Sequence, residues 1–231
     1  MHPFAPAEYQ YIGLFALALI ILRIPHVGKY FRVVNTLFHE NAHAVMALLT
    51  SGSVVRVDLF SDTSGACVFK SKYWISTFFI NLAGYVGSSA SAFGMFWLLT
   101  HGHSDWLLYT LAGTAALNLL LWVRNKYGIF WLITFLLICA GCYYLKNEMV
   151  TYYFLFLICA LHLVESLWST LVLLYLSAEE PSSAGDARNL RQMTFIPAIV
   201  WALLFVAQAV FFTVWCTDLL FGTNWMGIFG F

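Results

Sequence analysis

The stretch TLFHENAHAVMALLTSG, Thr36 to Gly52, sets two histidines and a glutamate in an otherwise apolar run. His39, Glu40 and His43 fit the pattern H-E-x-x-H. On a helix, positions i and i+4 share one face, so both imidazoles can grip a single metal ion. Glu40 can then take a proton from a water activated by that ion. Zinc suits two imidazoles plus a carboxylate, with an open position for a water whose pKa falls to about 7. The competing reading is a group of polar residues at a membrane interface. An acidic side chain near mid-membrane costs about 2.5–3.5 kcal/mol on insertion scales. A chain this poor in charge seldom bears that cost without a function.

The surroundings of this segment make it a membrane helix. The 231 residues are 61% hydrophobic, 18% aromatic and 10% charged, whereas a soluble domain carries about 25% charged residues. Mean hydropathy is +0.80. Apolar runs long enough to cross a bilayer lie near residues 10–28, 33–50, 74–100, 105–123, 128–145, 150–177 and 194–221. The lipid bilayer is therefore an expected partner. A net charge of zero and the absence of a basic run argue against nucleic acid. The N-terminal apolar stretch is preceded by no Lys or Arg and reads as a retained first helix rather than a removed signal peptide.

Two stretches break the apolar pattern. In Ser51 to Lys72, Val55, Val57 and Leu59 alternate with Arg56, Asp58 and Phe60, then SDTSG reads as a turn and ACVFK as a return strand. This is a β-hairpin signature, with a plain surface loop as the alternative. Ser177 to Thr194 is the longest polar segment. With seven spans, the loops after spans two, four and six hold seven Lys or Arg residues against four on the other side. That bias puts the hairpin and the polar segment in the cytoplasm. The expected fold is all-α and polytopic: six or seven transmembrane helices in one domain over residues 1–231, with a small β-hairpin after the H-E-x-x-H helix.

Other polar groups read more plainly. Cys139 and Cys142, in CAGC, have redox spacing but sit in an apolar run and read as packing residues. His101, His103 and Asp105 read as a solvated loop. Asn81 can donate to a substrate carbonyl or simply pack between helices, and Gly84 and Gly87 let helices approach closely. Trp74, Trp97, Trp106 and Trp225 fall near predicted span ends and suit interfacial belts.

The run FHENAHAVMALLTSGSVVRVDL, Phe38 to Leu59, resembles the start of the site-2-protease family of intramembrane zinc metallopeptidases, in particular a compact, often bacterial branch. NLAGYVGSSASAFG, Asn81 to Gly94, is similar to that branch's next helix; LWVRNKYG, Leu121 to Gly128, to an Arg-Asn-x-x-Gly junction; and AGDARNLRQMTFIPAIVW, Ala184 to Trp201, to a C-terminal Ser-Asp-Ala-x-x-Leu pattern followed by Pro and Trp. The matches keep the family's order along most of the chain. Ala184-Gly185 departs from the usual lead-in to the Asp, and the family's Leu-Asp-Gly motif has no clean copy here.

The resemblance implies a zinc site closed by an aspartate from a later helix. Asp186, in the matched segment, is the first choice, and an N-cap of the following helix is its alternative reading. His43 lies about 10 Å inside its span at 1.5 Å per residue. Asp186 reaches it only if the polar segment folds back into the bundle. The rival is Glu165, three residues from His162 on a long apolar helix. The two can instead form a hydrogen-bonded pair. The expected function is zinc-dependent cleavage of membrane-embedded peptide substrates, bound as an extended strand along Val54–Phe60, in the bacterial cell (inner) membrane. The alternatives are a catalytically silent metal-binding membrane protein and a transporter. Transporters commonly show internal repeats, and none stands out here.

Overall fold

The computed structural model describes residues 8–228. Residues 1–7, at the start of the stretch read as a retained first helix, and residues 229–231 lie outside that range. In chain order the elements are α1 (Glu8–Arg23), α2 (Val27–Leu49), β1 (Ser53–Leu59), β2 (Gly65–Lys70), α3 (Trp74–Thr100), α4 (Ser104–Leu121), α5 (Lys126–Leu145), α6 (Glu148–Glu179), α7 (Gly185–Thr194), α8 (Ala198–Phe221) and α9 (Trp225–Ile228).

The helices begin and end where local chemistry requires. Pro25 and a left-handed His26 (φ 65°) break α1 from α2, and the two helices meet at 105°. The Asn147 side chain caps α6, accepting from the Val150 N–H at 3.1 Å. Gly222, at φ 62°, closes α8.

Four helices, α3, α5, α6 and α8, are long and apolar enough to cross a membrane, and the bent α1–α2 pair brings the number to five if counted as one span. The protein is a multi-pass integral membrane protein. The sequence expectation of six or seven spans is higher because it counted apolar runs one by one. α1 has only 16 residues, α2 carries Lys29, Arg32 and Glu40, and α4 includes Asp105 and Asn118 within 18 residues.

The β-hairpin forms where expected. β1 and β2 pair antiparallel, with Val57 opposite Cys67 and Leu59 opposite Gly65, and the register shifts between Val54 and Arg56. In the turn, the Asp62 carboxylate accepts from the Ser64 hydroxyl at 2.6 Å and its N–H at 3.0 Å. These bonds hold the Asp62 carboxyl below its ordinary pKa. On its other flank β1 meets the α4–α5 junction. Val57 N–H donates to Trp122 O at 3.2 Å. Asn125 completes the contact: its Nδ2 donates to Leu59 O at 2.5 Å and its Oδ1 accepts from Leu59 N–H at 3.3 Å. The Asn125 carboxamide thus takes the place of a strand's peptide unit.

The main core joins α1 to α6 and the end of α8 through Phe96, Trp131, Phe135, Tyr152 and Phe156. A second, smaller core gathers Leu173 of α6, Ala187 and Leu190 of α7, and Trp201 and Phe205 of α8. It fixes α7, whose sequence GDARNLRQMT is too polar and too short to cross a membrane, against the bundle by its two buried apolar residues. Cys139 and Cys142 are free and buried in α5, as packing residues would be.

Candidate metal centre

A single face of α2 supplies the center of the site. Arg32, Thr36, His39 and His43 recur at intervals of four, three and four, a helical stripe that lines one wall of a cavity of about 600 Å³. The His39 and His43 rings lie 4.7 Å apart at 83°, with their Nε2 atoms 3.1 Å apart. Asp186 Oδ2 is 3.3 Å from His39 Nε2 and 3.2 Å from His43 Nε2. Asp186 stands in the first turn of α7, inside the helix rather than at its N-cap, which is Ala184. The predicted fold-back of the polar segment is therefore present: a 3₁₀ turn at Pro181–Ser183 and a left-handed Gly185 (φ 41°) turn the chain from α6 into α7.

α3 organises all three groups from one short segment. Ile80 O lies 2.6 Å from His43 Nδ1. An Nδ1–H donated to that carbonyl leaves the Nε2 lone pair facing His39 and Asp186. One residue on, Asn81 Oδ1 accepts from Asn189 Nδ2 at 2.8 Å, while Asn81 Nδ2 donates to Thr77 O at 2.8 Å. Asn189 is one turn after Asp186, so this contact ties α7 to α3 beside the carboxylate. Gly84 leaves the room: a Cβ there would fall on His43 Nε2 and within 2.6 Å of His39 Nε2. Gly87, one turn on, faces Ala42 of α2 in the same way.

His39, His43 and Asp186 are the one group of metal-ligating type among the described residues. Their donor atoms form a triangle with edges of 3.1, 3.2 and 3.3 Å. Ligand atoms about 2.0–2.1 Å from a tetrahedral zinc ion stand about 3.3–3.4 Å apart. Asp186 Oδ2 is buried and has no hydrogen-bond partner. Two imidazole nitrogens and a carboxylate oxygen converging at these distances fit a divalent cation.

Glu40 lies beside this group, buried. Its carboxylate lies close to His39, His43 and Asp186 and to the main chain of Cys67 in β2. Gly65 makes this approach possible, since a Cβ there would come within 2.6 Å of Glu40 Oε1. Thr36 fastens the hairpin turn to α2, donating to Thr63 O at 2.7 Å.

Several expectations change. Glu165 does not pair with His162. It lines the same cavity and faces Arg32, with Arg32 Nε 3.5 Å from Glu165 Oε2, whereas His162 meets Ser91 Oγ at 2.9 Å. Residues three apart on a helix share a face only approximately, and here Arg32 of α2 offers the acid a better partner than a neutral imidazole. The strand with a free margin is β2, not Val54–Phe60. β1 is flanked by β2 and by the Trp122–Asn125 junction, while β2 has β1 alone as strand partner among the described residues. His101 stacks on Trp97 at 4.5 Å and is not part of a metal-ligating group. Arg32, Ile80 O and Asn189 were not singled out from sequence. The signal was present for Arg32, seven residues before His39 on the same stripe; nothing local marks Asn189 or a main-chain oxygen.

The fold and the site define a class: a multi-pass membrane protein whose H-E-x-x-H histidines meet an aspartate from a short helix late in the chain. The chain belongs to the peptidase M50B-like family, whose model matches residues 12–216. This agrees with the resemblance to site-2 proteases read from the motifs. No curated protein and no solved structure matches the chain.

Proposed function

We propose that the protein is an intramembrane zinc endopeptidase that cleaves membrane-embedded protein or peptide substrates. The observation that carries this reading is the convergence of His39, His43 and Asp186 beside the buried Glu40 in a chain of a peptidase family. His39, His43 and Asp186 would hold the ion. Zinc, when bound, supplies Lewis acidity that polarises a scissile carbonyl and acidifies water.

The chain's own residues do the rest. Glu40 takes the proton of the attacking water and passes it to the leaving amine. The hairpin, packed closely on Glu40 at Gly65, confines its carboxylate. The Ile80 carbonyl holds His43 in the tautomer that presents Nε2. A helical substrate protects its peptide bonds with its own hydrogen bonds and must become extended to be cut. The free margin of β2 lies along the cavity, through Gly65, Ala66, Cys67 and Phe69, and would take the substrate by strand addition. Resemblance to a bacterial branch supports residence in the bacterial inner membrane.

The test is Glu40→Gln beside the wild type, with zinc content by elemental analysis and cleavage of a transmembrane reporter in reconstituted membranes. The variant keeps its zinc and loses cleavage by about 10²–10⁴-fold, the span of general-base contributions. Cleavage retained at the wild-type rate overturns the assignment of Glu40, and zinc-free, correctly folded wild type overturns the metal.

A further inference from the structure

The cavity that holds the metal-ligating group runs on along α2 to a second polar feature, the Arg32–Glu165 pair. Glu165 is only 7% exposed. Arg32 Nε and Glu165 Oε2 are 3.5 Å apart, and neither atom has a hydrogen-bond partner. The guanidinium Nη2 donates to Leu22 O at 3.3 Å. A buried donor and a buried acceptor that both line a cavity and are both unsatisfied are costly. In an apolar helix bundle such groups usually mark a functional site. Together they ask for one group that accepts from Arg32 and donates to Glu165. A carboxamide does both, through its C=O and its NH₂.

The spacing says where on a substrate that group would be. Arg32 precedes His39 by seven residues on the same stripe of α2, which is about 10 Å along the helix axis. An extended chain rises about 3.3 Å per residue, so about three residues cover the interval. The walls allow such a chain to lie there. β2 flanks α2 at the level of Thr36 and Glu40. Opposite, α6 lines the cavity with Glu165, Trp168, Val172 and Leu176, and α7 follows with Asp186.

We propose that the Arg32–Glu165 pair is a specificity subsite that binds an Asn or Gln side chain about three residues from the bond to be cut. This rests on the peptidase reading for the direction of the chain through the groove, and its test is separable from that reading. Arg32 and Glu165 are specificity residues, not catalytic ones.

The test measures binding in the zinc-loaded Glu40→Gln background, so no turnover is required. Fluorescent transmembrane peptides carry Asn, Leu, Asp or Lys, one residue at a time, two to five positions either side of the expected scissile bond. They are titrated against protein in nanodiscs. Asn at one position about three residues away binds roughly 10-fold tighter than Leu, in line with one or two hydrogen bonds to charged groups. Adding Arg32→Met and Glu165→Leu together reverses the preference toward Leu with zinc content unchanged. If that variant fails to fold, the polar, uncharged Arg32→Gln/Glu165→Gln pair serves and reduces the preference. The proposal is overturned if no position favours Asn over Leu, if Asp or Lys binds as well as Asn, or if the preference survives loss of both charges. Wild type that binds Asn peptides selectively and cuts none of them overturns the peptidase reading instead and leaves the subsite standing.

Discussion

The cavity has two polar ends, and they are built on opposite principles. At one end two imidazoles and a carboxylate converge on one point. At the other end Arg32 and Glu165 carry opposite charges and offset each other. Both ends lie among apolar helices where an unmatched charge is expensive. In the proposed reading a cation matches the first end. The second is neutral by itself, but its facing Nε and Oε2 atoms lack hydrogen bonds. Disrupting the first should therefore be read in metal, and disrupting the second in stability and selectivity.

Four outcomes would sharpen or break this contrast, beginning with the largest. His43→Ala or Asp186→Ala removes a ligand and loses stoichiometric zinc, whereas Glu165→Ala keeps it; elemental analysis of purified protein decides. Equal loss in all three would mean that the two ends form one site. Gly84→Ala comes next. In a helix this exchange ordinarily gains about 1 kcal/mol, but here the new Cβ falls on the histidine nitrogens. Zinc retention and melting temperature should both drop, and a stabilised, zinc-replete variant would contradict the close approach.

Asn189→Ala should weaken zinc affinity by about 10–100-fold, the usual scale for a group that orients a ligand. Competition with a chelator of known affinity measures it. Unchanged affinity would show that the small α6–α7–α8 core alone places Asp186. The smallest effect concerns the neutral end. Arg32→Met strands a buried carboxylate, so it should lower the melting temperature more than Arg32→Met/Glu165→Leu does. A double variant that is less stable than the single would mean that the pair holds the bundle together by itself.

The polar spacing and apolar lengths in the chain announce much of this. H-E-x-x-H on α2, the hairpin between Ser51 and Lys72, and the start and end of α3 at Trp74 and Thr100 follow from local pattern. Asp186 was reachable through its motif, because a turn of only a few residues brings α7 back to the bundle. What local pattern could not supply is the identity of partners across helices. Helical spacing points Glu165 to His162, three residues before it, but its partner is Arg32, 133 positions away on α2. The closed flank of β1 depends on Asn125, a residue 66 positions from Leu59. The break at Pro25 is legible as a helix boundary, but its 105° angle, which removes α1 and α2 from the count of separate spans, is not.

The carboxamide of Asn125 has one more effect. By seizing both main-chain groups of Leu59, it moors the hairpin to the joint between two helices as well as to its own turn. If substrate adds to the hairpin as proposed, the hairpin is ordered before it arrives. Of the conformational freedom surrendered on docking, the hairpin contributes little and the incoming segment nearly all. Affinity should then follow how readily a given segment uncoils, so that discrimination begins with the softness of the guest.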